Sequence, residues 1–85
     1  MIGRIVCSLA GRDKGCFMAV VEVEKERVFV CDGRERPLER PKPKNIKHIK
    51  PTNSRLDEEQ LKTNRSLRRA LNEYSGKVLC IKEEN

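Results

Sequence analysis

The stretch Arg4-Ile5-Val6-Cys7-Ser8-Leu9-Ala10-Gly11-Arg12-Asp13-Lys14-Gly15, running on into Cys16-Phe17-Met18-Ala19-Val20-Val21-Glu22-Val23-Glu24, decides how this chain folds. Residues Ile2 to Leu9 alternate loosely between apolar and polar and predict a first strand. Ala10 to Gly15 predicts a turn, because Gly11 and Gly15 can take a positive φ without a Cβ clash. Residues 16–24 predict a long second strand, with Phe17, Ala19, Val21 and Val23 on one face. The other face carries Cys16, Met18, Val20, Glu22 and Glu24 and grades from apolar to polar along its length.

Working outward, Lys25-Glu26 predicts a tight connection into a third strand, Arg27 to Cys31, and Asp32-Gly33 is a hairpin signal. Asn45 to Ile49 predicts a short fourth strand stopped by Pro51. The rest changes period. Leu56 to Leu61 predicts a turn or two of helix, with acids at its start. Thr63 or Asn64 caps a second piece in which Leu67, Ala70, Leu71 and Tyr74 share one face. Gly76 suits a left-handed helix end, and Lys77 to Ile81 predicts a last strand that closes the sheet. Short strands at hairpin spacing with a lean core predict a mainly β fold, a small closed barrel of about five strands with one or two short C-terminal helices. It is expected as a single domain over 1–85, with the barrel core at about 2–50, the helical segment at about 56–75 and the closing strand at about 77–82.

Charge narrows the function. The chain carries 19 Lys and Arg against 13 Asp and Glu, a net charge of +6. Residues 1–33 balance to zero, and residues 51–85 give only +1. Residues 34–50 hold Arg34, Arg36, Arg40, Lys42, Lys44, Lys47 and Lys50 against Glu35 and Glu39, which is +5. Pro37, Pro41 and Pro43 extend the same stretch. A concentrated basic segment on a small domain points to an anionic partner, nucleic acid first. Its longest apolar run, Phe17 to Val21, is far short of the ~20 residues of a spanning helix, so no membrane partner is expected. No secretory signal opens the sequence, and a cytoplasmic location is expected. One histidine and a small core argue against an enzyme.

Cys7, Cys16, Cys31 and Cys80 contain no Cys-x-x-Cys pair, so they are expected to be free thiols packing as small hydrophobes. A scattered metal or redox site is the alternative. Three aromatic residues, Phe17, Phe29 and Tyr74, are few for a base-stacking surface, and the core is expected to take them. Recognition should therefore rest on backbone charge and the shape of the nucleic acid.

The Arg4–Gly15 stretch with its following apolar strand resembles a KOW motif. With the downstream Pro43-Lys44-Asn45-Ile46-Lys47-His48-Ile49, residues 2–52 resemble the KOW-barrel large-subunit ribosomal proteins of eukaryotic and archaeal type, and the small bacterial KOW-domain RNA-binding proteins related to them. The resemblance implies an SH3-like barrel, RNA binding, ribosome association and no catalysis or cofactor.

The candidate contact residues are Gly11, Arg12, Lys14 and Gly15 of the turn, with Arg34, Arg36, Arg40, Lys42, Lys44, Lys47 and His48 as a second surface. Glycines let the backbone approach a phosphate, arginine forks bind it bidentately, and lysines act as point charges. His48 is expected to pack within the fourth strand, with an RNA contact as the alternative. Arg65, Arg68 and Arg69 are expected on a solvated helix face. The chain is expected to be a monomer when free, binding structured RNA, ribosomal RNA first. A protein-interaction barrel contacting ribosomal or transcription-machinery proteins is the rival.

Overall fold

The computed structural model describes residues 1–78. Five strands form one antiparallel sheet: β1 (Arg4–Ser8), β2 (Phe17–Glu24), β3 (Arg27–Cys31), β4 (Lys42–Asn45) and β5 (Ile49–Arg55), in the order β4-β3-β2-β1-β5. One α-helix follows among the described residues, α1 (Asn64–Ser75). Pairing of Ile5 with Ala19 and of Cys7 with Phe17 builds the first hairpin. The Lys25-Glu26 link sets Glu24 opposite Arg27. The sheet's two edges, β4 and β5, are joined by a 3₁₀ turn, Ile46–His48. The Leu9 amide donates to the His48 carbonyl at 2.9 Å, and the Lys44 ammonium donates to the Ala10 carbonyl at 2.8 Å. These contacts carry the β4–β5 corner back to the first hairpin and roll the sheet into the expected small barrel.

Both faces of the central strands are buried, which explains the unbroken apolar run in β2. Val6, Met18, Val20, Val28, Val30 and Ile49 fill the barrel interior. Ile5, Cys7, Phe17, Ala19 and Cys31 face outward and are covered by Leu56 and by Leu67, Ala70 and Leu71 of α1. A strand buried on both faces needs apolar residues at successive positions, whereas the polar end of β2, from Glu22, runs out of both cores. Tyr74 packs at the edge of the outer core, its ring T-shaped on Phe17 at 4.8 Å. Phe29 joins neither core. It is half-buried, with the Arg27 guanidinium 5.4 Å from its ring centre.

Thr63 caps α1, accepting from the Ser66 amide at 3.0 Å, while its own amide donates to Ser66 Oγ at 3.2 Å. Gly33, at φ +78°, lies under the start of this helix: a Cβ there would clash with the Asn64 carbonyl oxygen. Only glycine lets the 32–34 turn sit this close to α1.

Several boundaries differ from expectation. The fourth strand lies at 42–45 rather than 45–49, and the fifth is 49–55, running through Pro51. Pro51 is tolerated because β5 is an edge strand, with no ladder partner on its outer side among the described residues. Asp32-Gly33 does not close a two-residue hairpin, since residues 32–41 span the gap. Asp32 instead folds that loop, accepting from the Arg34 and Arg36 amides through Oδ1 at 2.9 and 3.0 Å. Residues 56–61 form a turn, not a helix: Asp57 and Gln60 hydrogen-bond each other reciprocally, but the helix does not propagate. Gly76 is right-handed, at φ −73°. Of the closing strand expected at 77–82, Lys77 and Val78 form a turn and bend, and the remainder lies outside the described residues.

Candidate nucleic-acid interface

The 11–15 turn projects from the end of the first hairpin. Gly11 and Gly15 both take φ near +88°, at 88° and 87°, and the Lys14 and Cys16 amides donate back to Gly11 and Asp13 carbonyls. The space a side chain would occupy at Gly15 is empty, which gives an incoming phosphate room beside the turn, while the Gly15 amide itself donates to the Ser8 carbonyl at 2.9 Å.

Asp13, the turn's only acid, points inward. Its Oδ1 accepts from Ser8 Oγ at 2.6 Å and from Lys44 Nζ at 2.7 Å, and Lys42 Nζ lies 3.4 Å from Oδ2. Burial pushes the carboxyl's pKa up, but the hydrogen bonds from Lys44 and Ser8 and the two lysine charges outweigh it and hold Asp13 at about 2, against an ordinary 3.8. The turn's negative charge is thus neutralised from below. Arg12 and Lys14 stay exposed, and among the described residues no ion pair includes either. The turn consequently presents two uncompensated cations on a backbone whose Lys14, Gly15 and Cys16 amides are bonded internally.

The other candidates separate into groups. Lys44 is only 7% exposed and spans from β4 to the turn, so its charge serves the fold, not the surface. Lys42 is half-buried on the same carboxylate. Lys47 and His48 are exposed on the 3₁₀ turn, next to Leu9 at the base of the first hairpin. His48 is therefore a surface residue and not packed inside a strand, which corrects the expectation. Arg34 is exposed and borders a cleft shared with Gly15 and Cys16. Arg36 and Arg40 are exposed on a loop held to α1, where the Leu38 amide donates to Asn64 Oδ1 at 2.7 Å and Asn64 Nδ2 donates to Glu39 at 3.0 Å. Arg34 shares a cleft with Gly15 of the turn, and His48 is tied to Leu9 at the base of the same hairpin, whereas the loop that carries Arg36 and Arg40 is tied to α1.

Sequence reasoning missed two partners. Ser8, five residues before Asp13 at the base of the same hairpin, and Lys44, 31 residues away on β4, converge on its carboxylate, and no motif marks either. Arg68 of α1 borders the same cleft as Arg34, although helical periodicity gave only its place on the outer face.

Cys16 is an exposed free thiol, and Cys31 is a buried one. Burial, followed by the charges of Asp32 and Glu39, pushes Cys31 up to about 11, so it stays protonated and unreactive at neutral pH. Cys7 is disulfide-bonded, which corrects the expectation of four free thiols; Cys80 lies outside the described residues. Among the described residues, no helix is long and apolar enough to cross a membrane. Compared with protein-family models and with curated proteins, the chain matches none.

Proposed function

We propose that this chain is a non-enzymatic RNA-binding module of the KOW type, docking on structured RNA, ribosomal RNA first, in a cytoplasmic structural, assembly or translation-accessory role. The observation that carries this reading is the inward neutralisation of Asp13 by Ser8, Lys44 and Lys42. An acid between two cations would cancel half of their field at a phosphate. With its charge spent below the turn, Arg12 and Lys14 act at full strength, and no side chain at Gly15 stands in a phosphate's way. Lys47, His48 and Arg34 extend this surface on either side of the turn. The sheet offers no broad aromatic platform, so recognition rests on phosphate charge and RNA shape.

Binding of a structured ribosomal RNA fragment, followed by fluorescence anisotropy across a salt series, tests this. Neutralising about five phosphates gives a slope of log affinity against log salt of roughly −3.5 to −4.5. The paired reversal Arg12→Glu, Lys14→Glu removes two contacts and flattens the slope by about 1.4–1.8. Reversal of the exposed Lys77 leaves it unchanged. Affinity indifferent to salt, or equal losses from both changes, refutes the proposal.

A further inference from the structure

A cleft of about 350 Å³ opens between the end of the 11–15 turn, the 32–34 turn and the outer side of α1. That volume lies at the small end of the roughly 300–1,000 Å³ typical of ligand sites, room for one nucleotide but not for a duplex. Its chemistry is divided. Arg34 and Arg68 stand on the rim, both exposed and outside every ion pair among the described residues. Phe17 and Leu71, where the outer core reaches the surface, form an apolar floor. Val78, 40% exposed, adds an apolar wall, and Asn72 and Ser75 supply hydrogen-bonding groups at the edge. Asp32 also lines the cleft, its Oδ1 accepting from two backbone amides of its own loop, so the two arginines leave the cleft a net charge of +1. A second hollow on α1 shares Arg68 and is lined by Arg65 and Arg69, with Glu73 the one acid beside the three guanidinium groups.

We infer that this cleft is a subsite for a single unpaired RNA nucleotide. Arg34 and Arg68 take its phosphate, the base lies on the Phe17–Leu71 floor against Val78, and Asn72 and Ser75 meet the base edge. Arg65 and Arg69 carry the neighbouring phosphate. Two forked cations flanking an apolar slot match a nucleotide, whose charge and π-face lie a few ångströms apart, better than they match a bare anion or an apolar peptide. Gly33 makes the site, because it lets the Arg34 turn approach α1 closely enough to share a cleft with Arg68. The inference rests on the RNA-binding reading and adds to it: the turn grips folded RNA, and the cleft takes a base that leaves the stack.

Cys16 provides an internal reporter. It is exposed, free and lines the cleft, and it is the only cysteine in the Gly15–Lys25 tryptic peptide. Its alkylation by a maleimide, read by mass spectrometry of that peptide, should slow when the cleft fills. With single-stranded oligoadenylate at about ten times its Kd, the rate should fall about tenfold, by the factor 1 + [L]/Kd. A blunt RNA duplex at matched phosphate concentration should not slow it. Arg34→Gln and Arg68→Gln, both at exposed positions, should each weaken oligoadenylate binding roughly tenfold or more. Ser75→Trp fills the cleft while leaving every charge in place, and it should abolish the effect of oligoadenylate on Cys16. Far-UV circular dichroism of each variant confirms that it is folded. Structured-RNA binding that depends on Arg12 and Lys14, with Cys16 unprotected by oligoadenylate, overturns the cleft and leaves the turn reading standing. Protection by duplex equal to that by single strand also overturns it, and an absence of RNA binding altogether overturns both.

Discussion

Replacing Asp13 with Asn takes away one negative charge beneath the 11–15 turn and leaves its shape. The carboxyl is held at about 2 in the folded chain, against 3.8 for the ordinary group. At 1.36 kcal/mol per unit, the ionised form favours folding by about 2 kcal/mol. Asp13 keeps 17% of its side-chain surface in water and Lys44 keeps 6%, so solvent screening reduces this little. In the folded protein the carboxylate gains its proton only near pH 2, whereas in the unfolded chain it does so near 3.8. The contribution is therefore complete above about pH 5 and disappears as pH falls through 4 to 2. Asp13→Asn also strands the Lys44 ammonium without a counter-ion. Removing one partner of a fully buried pair costs about 3–5 kcal/mol, but the Asn oxygen still accepts from Lys44 and Ser8, so about 2–3 kcal/mol is expected here. A chain of this length is stable by about 4–13 kcal/mol, so the variant folds but is visibly weakened. Urea unfolding by circular dichroism, at constant ionic strength from neutral pH to about pH 2, gives the answer. The gap between wild type and variant should be widest at neutral pH and shrink by about 2 kcal/mol as acid is added. Parallel losses across that range refute the neutralised-turn geometry.

Glycine substitutions separate strain from collision. Gly15→Ala meets no neighbouring atom and pays only for its positive φ, so it should lose about 1 kcal/mol in urea unfolding. Gly33→Ala adds a collision with the Asn64 carbonyl to a φ of +78°, and should lose at least about 3 kcal/mol; equal losses for the two would mean α1 does not pack on the 32–34 turn. Asn64→Ala removes the acceptor of the Leu38 amide and the donor to Glu39, for a loss of about 1–2 kcal/mol. Hydrogen exchange at Leu38 should accelerate in that variant, while exchange at Val6 and Val20 in the barrel should change only by the shared loss of global stability.

Much of the architecture was legible because pleat and helix periods are local. The alternation of β1 to β3, the Lys25-Glu26 link and the Leu67–Ala70–Leu71 face all follow from neighbours in the chain. The edge strands were not. Prolines at 43 and 51 argue against strand in isolation, yet an edge strand tolerates them, and only the sheet order shows that β4 and β5 are the edges among the described residues. Asp32-Gly33 carried a hairpin signal, but the Asp32 side chain found amides in its own loop, and the same two residues served a wider turn.

The candidate site divides along the same line. Composition and charge position by themselves determined that the chain is basic, that the excess lies in residues 34–50, and that a glycine-bounded turn carries Arg12 and Lys14. Only the tertiary structure decided which cations are spent and which are free. Lys44, one of the seven cations of that stretch, is buried against Asp13 from 31 residues away, while Arg34 gains Arg68 as a neighbour across a cleft. Electrostatic energy depends on distance in space and on burial, and neither is written in the order of residues along a chain.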